Sequence, residues 1–222
     1  MSKVVPTKPL LIMLYGFPGS GKSYVARQLS GHIQAAHVQG ERIRNELFES
    51  PRYDKQENTV VTQLMDYMAQ EFLSAGVSVI YDTNALRAAQ RHNLREIARK
   101  SQAQPLVVWL QIDADSAYTR TQQRDRRKSD DKYAPNMDQK TFEDTLTHMQ
   151  NPSTAEDYVV ISGKHVFPTQ LSAIMKKLHD MNLIHGEAVS SSSVVKPELV
   201  NLVPSPKAGR VNMSRRRNIM IR

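Results

Sequence analysis

Two rhythms of hydrophobic residues alternate along the chain. Leu10-Leu11-Ile12-Met13-Leu14-Tyr15 is an unbroken apolar run between Pro9 and Gly16, the pattern of a strand buried on both faces of a parallel sheet. A helix is expected from about Lys22 to Ser30, then a weaker strand at Ala36-His37-Val38 and a short helix from Ile43 to Phe48. Between Asn58 and Ala75, apolar residues recur three and four apart at Val61, Leu64, Met65, Met68 and Phe72, which predicts an amphipathic helix closed by Gly76. Val77 to Tyr81 reads as a strand and Leu94 to Ala98 as part of a basic helix. Leu106 to Ile112 is the strongest strand, with Trp109 read as core. A helix from about Ser116 is expected to carry Arg120, Arg124 and Arg127 on one face. Phe142, Leu146 and Met149 mark another, ended by Pro152. Tyr158 to Ile161 is a last strand, and Leu171, Ile174, Met175, Leu178 and Met181 stripe a closing helix. Strands alternating with helices make this an α/β protein with a parallel sheet covered on both faces.

Composition adds an appendage to that picture. With 222 residues, 40% of them hydrophobic, the chain can bury one sizeable core. The formal net charge is +8, which favours phosphorylated or polyanionic partners. Most of that charge sits at one end. From Glu187 to Arg222 there are seven basic and two acidic residues, with Ser190 to Ser193, Pro197, Pro204 and Pro206 and no hydrophobic period. The expected division is a folded domain over 1–186 and a basic, disordered tail over 187–222. The tail is either a solvated charged end or a contact for nucleic-acid phosphates, an anionic surface or the parent domain. Cysteine is absent, which excludes disulfides, thiolate zinc sites and cysteine nucleophiles and fits a reducing cytoplasm. No stretch is apolar for long enough to span a membrane, and the seven histidines show no metal-ligand spacing.

Gly16-Phe17-Pro18-Gly19-Ser20-Gly21-Lys22-Ser23 satisfies G-x-x-x-x-G-K-[ST] and lies between the first strand and the first helix, the context that pattern requires. Glycines allow successive backbone N–H groups to turn inward around phosphate oxygens. Lys22 supplies a mobile cation for the outer phosphates, and the Ser23 hydroxyl suits Mg²⁺. Gly16, Gly19, Ser20, Gly21, Lys22, Ser23 and Tyr24 are thus the expected binding residues for ATP or GTP.

Beyond this loop the chain resembles the P-loop kinase group, with an AAA-type ATP-binding domain, that contains polynucleotide 5′-hydroxyl kinases and zeta-toxin-like small-molecule kinases. The resemblance runs from about Leu10 to Leu183. Gly40-Glu41-Arg42-Ile43-Arg44 is similar to the family segment whose acidic residue, followed three positions later by Arg, faces the acceptor hydroxyl. The family usually has Asp there, and Glu41 adds one methylene. Tyr81-Asp82-Thr83-Asn84 resembles the D-T-N signature, Arg120 and Arg124 match arginines leading into a lid, and Val160 to Lys164 with Gln170-Leu171 match the closing strand and helix. The resemblance implies a three-layer fold, a five-stranded sheet of order 2-3-1-4-5, a helical lid, and an ATP- and Mg²⁺-dependent kinase.

Several residues carry two readings each. Glu41 is either the base that accepts the acceptor's proton or a first-turn acid complementing the helix dipole, and Arg44 is expected to hold the acceptor's phosphate or sugar. Arg120 and Arg124 either reach the ATP phosphates, with 128–132 as a closing lid, or form a solvated basic face. Asp82 either orients Mg²⁺ or caps the next helix. Arg52 and Tyr53 either clamp and stack a base or merely connect two helices. Lys22, Glu41, Arg44 and Arg124 are the expected catalytic set, with Ser23 and Asp82 toward the metal. The leading acceptor is an RNA or DNA 5′-hydroxyl. The rivals are a nucleoside or sugar-nucleotide kinase, and a nucleotide-dependent nucleic-acid-binding switch.

Overall fold

The structure, a computed structural model, describes residues 3–83, 87–125, 132–135 and 137–185. Asn84, Arg127, most of the expected lid and the tail over 187–222 lie outside the described residues.

Five strands, β1 (Leu10–Gly16), β2 (Ala35–Gln39), β3 (Ser78–Asp82), β4 (Gln104–Gln111) and β5 (Tyr158–Ser162), form one sheet of order β2-β3-β1-β4-β5. Every pairing is parallel. Among the described residues the helices are α1 (Lys22–His32), α2 (Gly40–Leu47), α3 (Lys55–Ser74), α4 (Ala88–Lys100), α5 (Ala114–Gln122), α6 (Gln139–Thr147) and α7 (Phe167–Asp180). The order expected from the resemblance is the observed one.

β1 is buried along its whole length because both faces are covered, which is why its sequence does not alternate. Leu10, Ile12 and Leu14 point into one core shared with α1 and α7 through Val25, Leu29, Ile174 and Leu178. Leu11, Met13 and Tyr15 point into the other, shared with α3 and α4 through Met65, Leu73, Leu94 and Ala98. Three helices begin on an aspartate whose carboxylate accepts from the N–H three residues on: Asp54 from Glu57, Asp113 from Ser116 and Asp138 from Thr141. Gly76, at φ +79, ends α3 as expected.

Two helices are shorter than their patterns. α5 stops at Gln122, so Arg124 is not on it and the expected single basic face is broken. The chain there is held by Pro135 and Met137: the Gln122 amide donates to Met137 O at 2.7 Å and Arg124 Nη1 to Pro135 O at 2.7 Å. α6 ends at Thr147 rather than at Pro152, because the backbone N–H groups of His148 and Met149 close tight turns onto Thr145 O and Leu146 O. Met149 then packs against the second core from outside the helix. Trp109, read as core, is only partly buried on the same side.

Candidate active site

The phosphate loop bridges β1 and α1 at the carboxyl edge of the sheet, the edge where open parallel sheets place ligands. Gly19 has φ +83, and a Cβ there would collide with the Ala117 carbonyl of α5. Gly21, at φ +98, is the residue from which α1 starts, and no side chain caps that end. The N-terminal amides of α1 are thus left to an outside acceptor. Ser20 is buried with no partner for its hydroxyl. An anion in the loop would satisfy these groups together.

Lys22 Nζ donates to Gly16 O and Phe17 O, each at 2.9 Å. Burial pushes its pKa down to about 7, opposed by Asp82 and assisted by Arg124. An added phosphate is what such an ammonium lacks.

Asp82 closes β3, the strand beside β1, and is 4% exposed. Its Oδ1 accepts from Ser23 Oγ at 3.1 Å, and its Oδ2 meets His37 Nε2 at 2.9 Å. The next helix, α4, starts after Arg87, so Asp82 does not cap it. The capping reading is thereby excluded, and the Asp82 carboxylate lies against the phosphate loop. The donors, one hydroxyl and one carboxylate, suit a hard divalent cation, and among the described residues no group of three His, Asp or Glu forms a cation site of its own. Phosphate oxygens would have to complete the shell.

The spacing of His37 gives it no chemistry. It reaches Asp82 only because β2 lies in register beside β3, with Gln39 opposite Asp82, and nothing in the local sequence signals that pairing.

Glu41 is the second residue of α2, its side chain 37% exposed and 3.6 Å from Arg44 Nε. Glu41 Oε2 and Arg44 Nε are buried without hydrogen-bond partners. Burial raises the Glu41 carboxyl above its ordinary range, Arg44 and the Tyr53 hydroxyl pull it down, and Asp82 and Arg124 also act on it. Asp82 and Arg124 are the same two groups that act on Lys22. Lys22, Glu41, Asp82 and Arg124, from four separate segments, therefore share one electrostatic neighbourhood.

Arg44 stands differently from its expected role. Its Nη1 pairs with Glu57 at 3.3 Å, its Nη2 donates to Asn58 Oδ1 at 2.6 Å, and its guanidinium lies 4.7 Å from the centre of the Tyr53 ring. Glu57, which sequence reasoning missed, also accepts from the backbone N–H groups of Arg52 and Tyr53, at 2.9 Å each. These contacts fasten the α2–α3 connection and leave only Nε toward Glu41. Arg52 itself is exposed and pairs with Asp54.

Arg120, on the last turn of α5, donates to Gly163 O at 2.9 Å and so ties α5 to the loop after β5. Gly163 lies so close to the phosphate loop that a Cβ on it would come within 2.8 Å of Ser20 O. Tyr24 is part-exposed against Phe167 of α7, with ring centres 6.3 Å apart.

A G-x-x-x-x-G-K-[ST] loop on a 2-3-1-4-5 parallel sheet, with an acidic residue ending the strand next door, defines a P-loop nucleotide-binding protein of kinase-like fold. The chain belongs to the AAA domain family, which matches residues 11–152. No curated protein matches it. Among solved structures it is similar to a sugar kinase from Janibacter sp. HTCC2649, at 17% identity and TM-score 0.55 over 81% of this chain and 100% of that one. It is also similar to Kti12 of Chaetomium thermophilum, solved with ADP-AlF3, at 15% identity and TM-score 0.59 over 79% of this chain and 100% of that one. The APS kinase of Mycobacterium tuberculosis, solved with AMPPNP and APS, is similar at 16% identity and TM-score 0.51 over 78% of this chain and 99% of that one.

Proposed function

We propose that the protein is an ATP-dependent kinase that transfers the γ-phosphoryl group to a hydroxyl, the leading acceptor being a polynucleotide 5′-hydroxyl. The observation that carries this reading is the phosphate loop at the carboxyl edge of the sheet, with Lys22 folded onto its carbonyls and Asp82 of the neighbouring strand hydrogen-bonded to Ser23; the electrostatic influence of Asp82 and Arg124 on both Lys22 and Glu41 supports it. The acceptor oxygen attacks the γ-phosphorus, the bond to the bridging oxygen breaks, and ADP leaves. Glu41 accepts the hydroxyl proton, and burial, by raising its proton affinity, makes it a better base. Arg44 acts through Glu41 as a positioning residue. Lys22 and Arg124 neutralise charge spreading over the moving group. Arg120 reaches the nucleotide only indirectly, by setting the loop after β5 against the phosphate loop. Ser23 and Asp82 would hold Mg²⁺, which when bound neutralises the β- and γ-phosphates. His37 keeps the Asp82 carboxylate turned toward Ser23.

The basic tail over 187–222 supports a nucleic-acid acceptor through its phosphates, and the absence of cysteine supports a cytoplasmic setting. Among the described residues no helix is long and apolar enough to cross a membrane. A small-molecule acceptor is the second reading, supported by the likeness to a sugar kinase and an APS kinase. Transfer from [γ-³²P]ATP to 5′-hydroxyl oligonucleotides, run beside a panel of nucleosides and sugars, separates the two. Label on metabolites alone rules out the polynucleotide, and label on neither rules out a kinase.

A further inference from the structure

We propose that the cavity between Phe17, Trp109, Met149 and Asn151 seats the acceptor's nucleoside, holding its base while its hydroxyl meets the phosphate loop. This rests on the reading of the protein as a kinase for a hydroxyl acceptor.

The cavity, about 460 Å³, opens at the carboxyl ends of β1, β4 and β5. Gly16 and Phe17 form part of its wall, and they are the residues whose carbonyls receive Lys22 Nζ. A ligand here therefore lies against the phosphate loop itself.

Phe17, Trp109 and Met149 offer apolar surface suited to a flat ring, while Gln111 and Asn151 bring amides to the same space.

The wall is built to hold one of these amides still. Asn151 Oδ1 accepts from Tyr15 Oη at 2.9 Å, and its main-chain carbonyl accepts from Arg91 Nη2 at 3.3 Å. Arg91 is 0% exposed, pairs with Glu156 at 2.7 Å and lies 5.1 Å from the centre of the Tyr15 ring. Trp109 is wedged edge-on between Tyr15 and Tyr158, at 5.7 and 6.2 Å. A buried Arg–Glu pair is a poor source of stability, since apolar residues of like volume do as well. Here it fixes the Asn151 backbone, and Tyr15 fixes the side chain, which leaves the Nδ2 hydrogens to a ligand. A nucleobase edge, with its carbonyl and ring-nitrogen acceptors, matches that donor.

Trp109 is the protein's single tryptophan, so its fluorescence reports occupancy directly. The full chain is titrated with each of the four ribonucleosides and with a 5′-hydroxyl dinucleotide, with and without a saturating non-hydrolysable ATP analogue. At least one nucleoside should quench Trp109 saturably, and the quench should persist with the analogue bound. Asn151→Leu should weaken that nucleoside about ten-fold, the loss of one good hydrogen bond, while a fluorescent ATP analogue binds as before. Three results overturn the proposal: no quench by any nucleoside, loss of the quench when the ATP analogue is added, or quenching by monosaccharides alone. Competition by the analogue would mean that the cavity belongs to the donor's base. Phosphate transfer without quenching would remove the cavity assignment and keep the kinase, whereas quenching without transfer would do the reverse.

Discussion

The two sides of the carboxyl edge are held by different means. The phosphate loop is made of eight consecutive residues, Gly16 to Ser23, and its shape follows from three glycines and the start of α1. The wall beside β4 joins residues far apart in sequence: Tyr15 with Asn151, Arg91 with Glu156 and Asn151. The first presents backbone amides and one lysine whose buried ammonium rests on the loop's own carbonyls. The second buries a full ion pair to orient one amide. Local geometry suffices to cradle a phosphate, because every phosphate looks alike, whereas choosing an acceptor needs groups that only the packed fold brings together.

Substitutions separate the two sides. The largest expected effect on stability is at the wall: Arg91→Ala leaves Glu156 buried without its partner and should cost about 3–5 kcal/mol in urea denaturation. A loss under about 1 kcal/mol would show that the pair is solvated in solution. At the loop, Lys22→Ala should lower phosphoryl transfer by about 10²–10³-fold with little change in the urea midpoint, since its contacts are to loop carbonyls alone. Glu41→Gln should slow transfer by about 10²-fold and spare ATP binding, and normal turnover would remove Glu41 as the base.

A gentler test uses pH. Burial raises the Glu156 carboxyl, but Arg91 and the Ser153 N–H outweigh it and hold the group below its ordinary value. A depressed carboxylate contributes stability above its unfolded pKa of about 4.3 and loses it as pH falls through the folded value. The stability gap between wild type and Glu156→Gln should therefore be full at pH 6 and shrink below about pH 4.3. A gap independent of pH would mean that shape, not charge, holds the wall. The smallest effect belongs to the exposed pair Arg99–Glu96, where Arg99→Ala should change stability by less than about 0.5 kcal/mol.

The strands were readable to within two residues or so, because burial on both faces writes itself as unbroken apolar runs such as Leu10 to Tyr15. The structure departs from the spacing where contacts to other segments take over from local pattern. Arg120, Arg124 and Arg127 have helical spacing, yet α5 stops at Gln122 because contacts to Pro135 and Met137 take over. The family resemblance puts Arg44 on the acceptor, three residues after Glu41. Its partners Glu57 and Asn58 lie one helix further on, and no spacing announces them.

What the sequence determined by itself was the alternation of strands and helices and the presence of a phosphate loop, since both follow from side-chain periods and backbone torsions over a few neighbouring residues. Only the tertiary structure decided that His37 and Ser23 share Asp82 and that Arg91 and Tyr15 lock Asn151. Those contacts depend on strand order and register, and they exist once the sheet has set its strands side by side.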